Sequence, residues 1–201
     1  MSLDKIMNSV VRTPRAEVAP VALRNNISVQ ECVSDVVRHW FTERSKVRLI
    51  IPVGMGEWGR DKFIRELEMR VKNLAVCSAD AFFLQNGKYA FNRELLTRAH
   101  AKCQTDAYEA LRAGKYVVIA NQNCQLKHIM EYTSYGRLKF NASILIVKFM
   151  PQCAASAVAL GINNDKNIPA SVYSTVYENM QTLEITRDSV SKLEGVMTVV
   201  V

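Results

Sequence analysis

With 201 residues, 49% of them apolar by a loose count and 22% charged, the chain has the size of one domain, or one domain with short extensions, and enough apolar residues for a sizeable core. Such a composition excludes a wholly disordered chain; no apolar run is long enough to span a bilayer, and no signal-peptide-like stretch opens the sequence. Lys plus Arg number 26 against 19 Asp plus Glu, a net charge of +7 with a pI near 9.2, which suits anionic partners such as nucleotides, nucleic acid or an acidic surface, although no block of consecutive basic residues occurs.

Five cysteines (Cys32, Cys77, Cys103, Cys124, Cys153) form no C-x-x-C pair and read as reduced thiols of an intracellular protein, cytoplasmic or nuclear. His39, His100 and His128 lack the spacing of a structural zinc site.

Residues 1–27 mix Pro14 and Pro20 with Arg12, Arg15 and Arg24 and read as an N-terminal arm; residues 28–201 read as a single domain. Ser28 and Glu31 have the spacing of a capping box, in which each side chain satisfies the other's backbone amide. Val29, Cys32, Val33, Val36, Val37, Trp40 and Phe41 follow at helical spacing, predicting a helix to about Arg44 with Trp40 in the core.

The nearly continuous apolar run 47–53 reads as a buried parallel strand. A helix over 61–72 follows, then a strand at 74–77 and a long helix opened by Asn92 and closed by Gly114. The remaining elements are a strand at 116–120, a helix over 126–135 before Gly136, a strand at 143–149 and a helix from Pro169 to about Met180. An added edge strand ends the chain at 196–201. Strands alternating with helices imply βαβ units: an α/β fold with a parallel sheet flanked by helices, and ligands at the carboxyl ends of the strands.

The turn after the first long strand reads GMGEWGRD. Gly54 and Gly59 occupy the glycine positions of G-x-x-x-x-G-K-[ST], the loop whose amides cradle phosphates at a helix N-terminus. Arg60 and Asp61 stand where that pattern wants Lys and a hydroxyl. A guanidinium is a broad fork rather than a point charge, and a carboxylate beside triphosphate oxygens weakens nucleotide binding unless it takes Mg²⁺. Trp58 puts bulk where a small residue is usual. Gly54, Gly56 and Gly59 also spell G-x-G-x-x-G, with Asp80 near the distance at which a dinucleotide fold has its acid. An ordinary βα turn is the third reading of the same residues.

The stretch 77–114, CSADAFFLQNGKYAFNRELLTRAHAKCQTDAYEALRAG, resembles the P-loop kinase domain of the NEDD4-binding-protein-2-like proteins, relatives of phage polynucleotide 5′-kinase. The resemblance spans roughly residues 47–181, and it sets the dinucleotide reading aside. It rests on Ser78, Asp80, Phe82, Phe83, Gly87, Tyr89, Phe91, His100 and the turn Asn121-Gln122-Asn123.

The resemblance implies that Asp80 matches the general base for a 5′-hydroxyl. Gly54, Gly56, Gly59, Arg60 and Asp61 then make the nucleotide loop, with Asp61 the one candidate Mg²⁺ ligand, and Asn121, Asn123 and His100 stand on the substrate side. ATP with Mg²⁺, weakly held, is the cofactor it implies.

The departures all bear on one mechanism. The second acid of the family is Ala81, the acid of its D-N-T-N turn is Asn121, and the lid stretch 157–168 carries Lys166 where the family carries arginines. Losing the loop Lys, the hydroxyl, the second acid and the lid Arg removes most of the charge stabilisation that phosphoryl transfer needs. The leading expectation is a degenerate, pseudokinase-like P-loop domain that binds a nucleotide, nucleic acid such as RNA, or a protein partner with little or no turnover. An active polynucleotide or nucleoside kinase with an unusual loop is one alternative, and a structural or assembly module is the other.

Overall fold

In the computed structural model the described residues are 25–41, 47–140, 142–190 and 192–201. Six parallel strands form one sheet: β1 (Asn25–Ile27), β2 (Val47–Val53), β3 (Leu74–Cys77), β6 (Tyr116–Ile119), β7 (Ser143–Met150) and β8 (Leu193–Val200), in the order β1-β8-β7-β2-β6-β3. Between β3 and β6 a small antiparallel hairpin, β4 (Leu84–Gln85) and β5 (Lys88–Tyr89), stands apart from the sheet. Among the described residues six α-helices accompany the sheet: α1 (Val29–His39), α2 (Arg60–Arg70), α3 (Leu96–Arg112), α4 (Leu126–Phe140), α5 (Ala154–Gly161) and α6 (Ala170–Gln181). This is an α/β fold compatible with a P-loop kinase-like domain.

β2 is central because it is apolar on both faces: six of its seven residues are buried, with β6 on one side and β7 on the other. From β2 the chain runs outward to β3, returns to β6, then crosses to β7 and β8 on the far side. Such a reversal leaves a crevice at the carboxyl ends of the strands, and the loop after β2 opens onto it.

Strand expectations agree with the structure at 47–53 and 74–77 and to within one residue at the other two predicted sheet strands. The capping box is present: the Ser28 hydroxyl accepts from the Glu31 amide at 3.3 Å, and the Ser28 amide donates to the Glu31 carboxylate at 2.9 Å. α1 nevertheless stops at His39, with Trp40 as its C-cap, and the rest of the expected helix, 42–44, lies outside the described residues. α4 runs through Gly136 to Phe140, because one internal glycine costs a helix only about 1 kcal/mol.

The terminal strand is longer than expected and is not an edge. Residues 25–27, the end of the stretch read as an arm, pair with it as Asn25↔Thr198 and Ile27↔Val199, so that β1 becomes the edge. Residues 1–24 lie outside the described residues. α5 and the β4–β5 hairpin had no counterpart in the sequence reading.

Candidate functional site

Gly54 leaves β2 with φ 129°, a conformation in which a Cβ would lie 2.9 Å from the Phe149 carbonyl oxygen, so only glycine fits without a shift. Its amide donates to the Gln122 carbonyl at 2.8 Å, tying the loop to the turn after β6. A short 3-10 turn, Gly56–Trp58, follows, and Gly59, at φ 93°, starts α2.

Arg60 is buried at 5% exposure and folds back into the loop. Its Nη1 donates to the Gly54 carbonyl at 3.0 Å, while Nε and Nη2 both donate to Asp61 Oδ1, at 2.9 and 2.8 Å. The Asp61 carboxylate lies directly against Gly56, where a Cβ would collide with it. Gly54, Gly56, Gly59, Arg60 and Asp61 therefore do come together, around an anion that the chain supplies itself.

Trp58 is fully buried. Its indole Nε1 donates to the Ala157 carbonyl at 3.0 Å, and its ring meets Tyr173 at 6.3 Å between centroids, so the loop is clasped by α5 and α6. Glu57 and Tyr173 each bury an oxygen with no hydrogen bond in ordinary geometry, and the Tyr173 hydroxyl is pushed up by burial first and then by the Glu57 carboxylate.

Asp80 opens the 3-10 turn after β3, its amide donating to the Ser78 hydroxyl at 3.1 Å. Both carboxylate oxygens are engaged. Oδ1 accepts from the Tyr89 hydroxyl at 3.0 Å, and Oδ2 pairs with Lys166 Nζ from the segment after α5. That segment is held by Asn164, which bonds Gly161 O at 2.9 Å, Ile168 O at 3.0 Å and Ile168 N at 2.6 Å. The Tyr89 phenol is pushed up to about 12 by burial and, next, by the Asp80 carboxylate that accepts its hydrogen bond.

Arg60, Asp61, Ile64, Arg65, Ser78, Asp80, Ala120 and Lys166 line one open cleft of about 250 Å³ at the carboxyl ends of β2, β3 and β6. Sequence reasoning placed Asp80, Arg60 and Asp61 here; Arg65 and Ser78 were not singled out for it.

The three residues expected on the substrate side lie outside this lining. Asn121 accepts from the Ala79 amide at 2.9 Å and donates to the Tyr132 hydroxyl at 2.8 Å. Asn123, 2% exposed with φ 51°, donates through Nδ2 to the carbonyls of Pro52, Ile119 and Asn121. Both fasten the ends of β2, β3 and β6, and neither lines the cleft. His100, on α3, is also outside its lining; it lies near His128 on α4, whose imidazole is held down mainly by burial, with Lys127 and His100 adding to the effect and Glu131 opposing it. Among the described residues no three His, Cys, Asp or Glu side chains converge as a metal site.

Sequence reasoning also missed the hairpin beside Asp80. Its signal was Asn86-Gly87, whose φ values of 50° and 76° make the two-residue turn that this dipeptide favours.

No protein-family profile matches the chain, and no curated protein does. Among solved structures it is similar to a chain of "Structure of the Pnkp1/Rnl/Hen1 RNA repair complex", at 21% identity and a TM-score of 0.53, covering 67% of this chain and 44% of that one. A chain of "Structure of Pnkp1/Rnl/Hen1 complex" matches at 20% identity and a TM-score of 0.47, covering 61% and 41%. The chain thus spans less than half the length of these two solved chains, and at this identity the first likeness establishes the fold. No helix among the described residues is long and apolar enough to cross a membrane.

Proposed function

We propose that this chain is a kinase-fold domain that binds single-stranded nucleic acid through its phosphates and does not transfer a phosphoryl group. The observation that carries the reading is the Asp61 carboxylate, seated against Gly56 and held by Arg60 at 2.8 and 2.9 Å. A helix N-terminus behind a glycine loop attracts an anion. Here an internal one stands at that place, and the loop's cation is spent on it.

ATP with Mg²⁺ does not fit a loop so arranged. A triphosphate entering it meets the Asp61 carboxylate, and Arg60 can reach its oxygens only by giving up the Gly54 and Asp61 bonds. Asp80 is likewise no free base, since Lys166 and Tyr89 hold both its oxygens.

With Asp61 on Arg60 and Asp80 on Lys166, the remaining cation of the cleft lining is Arg65, which is exposed, and the whole chain carries +7. Phosphate contacts of this kind give affinity that falls steeply with salt and carry little sequence preference. An RNA partner agrees with the repair complex named for the similar solved structure.

The test pairs two measurements: filter binding of a 5′-hydroxyl RNA oligonucleotide across a salt series, and transfer of labelled γ-phosphate from ATP to the same strand. Salt-dependent binding with no transfer is expected. Robust transfer, or no binding at low salt, overturns the reading.

A further inference from the structure

The hairpin beside Asp80 leaves an unusual amount of apolar surface in water. Phe91 is 55% exposed, Leu84 57% and Tyr89 38%. Phe91 and Tyr89 nevertheless pack on a buried ring beneath them. Phe83, 2% exposed, meets Phe91 at 5.2 Å and Tyr89 at 6.3 Å, both edge-on, and its carbonyl accepts from the Ala90 amide at 2.9 Å. An aromatic held this way loses little rotamer freedom when a flat partner covers it.

Two further features give the patch a direction. Exposed cations interleave with the aromatics along Lys88-Tyr89-Ala90-Phe91-Asn92-Arg93. The Tyr89 hydroxyl bonds Asp80 at 3.0 Å, and Lys166 Nζ lies 5.4 Å from the Tyr89 ring centre, so the patch is continuous with the cleft. Stacking faces next to backbone-tracking cations are what a single strand needs, whereas a protein partner of apolar character gains nothing from the basic residues.

We propose that the β4–β5 hairpin is a base-stacking platform, on which Phe91 receives a nucleobase of a single strand whose phosphate runs past Arg65 at the cleft. This rests on the nucleic-acid reading above and names the groups that hold the bases.

The test uses the full chain and a dodecamer of uridylate, with affinity read by fluorescence anisotropy at several salt concentrations. Phe91→Ala should weaken binding about tenfold, equivalent to about 1.4 kcal/mol, with the salt slope unchanged, because no charge is removed. Phe91→Leu keeps apolar area but no ring face and should weaken it nearly as much, while Phe91→Trp should restore it. A 5-iodouridine strand should crosslink under long-wave light at Phe91 or Tyr89. Circular dichroism of each variant confirms the fold, which an exposed site should leave intact. Wild-type binding that neither Phe91→Ala nor Phe91→Leu alters overturns the platform and leaves the nucleic-acid reading standing. If wild type itself fails to bind, both fall, and the exposed hairpin then becomes a protein-docking surface.

Discussion

Arg60 and Asp61 are neighbours in sequence and partners in space: two nitrogens of one guanidinium converge on a single carboxylate oxygen beside the glycine loop after β2. Neighbouring residues of a first helical turn usually point apart. They meet here because Arg60 bends back to reach the Gly54 carbonyl, 3.0 Å from Nη1, and draws Asp61 over Gly56.

The first prediction follows from that pair. Arg60→Lys with Asp61→Ser removes the internal anion and supplies a point charge and a hydroxyl. ATP affinity, measured by calorimetry with Mg²⁺, should rise about tenfold or more, the scale of one charged hydrogen bond, about 1.5 kcal/mol. Unchanged affinity would mean that the Trp58 clasp alone closes the loop.

Asp80 gives the second. Wild type should show no phosphate transfer above background, and Asp80→Asn should leave that unchanged. Because the Asp80–Lys166 pair is more than a third exposed on both sides, the change should alter stability by less than about 1 kcal/mol in urea unfolding. A measurable wild-type rate abolished by Asp80→Asn would show that Lys166 yields the carboxylate during turnover.

Trp58 gives the third. Trp58→Ala opens a cavity in the core and should cost about 3–5 kcal/mol, lowering Tm by about 10 °C. Trp58→Phe should cost less but still measurably, about 1–3 kcal/mol, since it leaves the Ala157 carbonyl without its indole donor. Equal stability of Trp58→Phe and wild type would show that this bond contributes nothing to holding the loop.

Thiol chemistry supplies the fourth. Cys153 is exposed, and hydrogen bonds from Ser156 hold its thiol below the usual value. Cys32, Cys77, Cys103 and Cys124 are buried, and burial pushes Cys32 and Cys77 up to about 12. The thiolate is the nucleophile, so iodoacetamide at pH 8 should modify Cys153 alone in the native protein and all five thiols in denaturant. Native modification of a second cysteine at a comparable rate would contradict the burial described.

Much of the fold could be read from the chain because its signals are local. An apolar run bounded by Pro52 and Gly54 has few alternatives to a buried strand, Ser28 and Glu31 cap a helix from three residues apart, and glycine is required where φ is 129°. Asn86-Gly87 was equally legible and went unread. The site was different, because its decisive contacts join distant or unpredictable partners. Lys166 reaches Asp80 across 86 positions and Trp58 reaches Ala157 across 99. Asn121 and Asn123 carry the composition of a substrate turn yet spend their amides on strand ends. Residues 25–27 gain their place from β8, at the other end of the chain. Residue type and spacing determine which groups are available and which backbone they sit on; which of them remain free for a ligand depends on packing between segments far apart in sequence, and only the tertiary structure decides that.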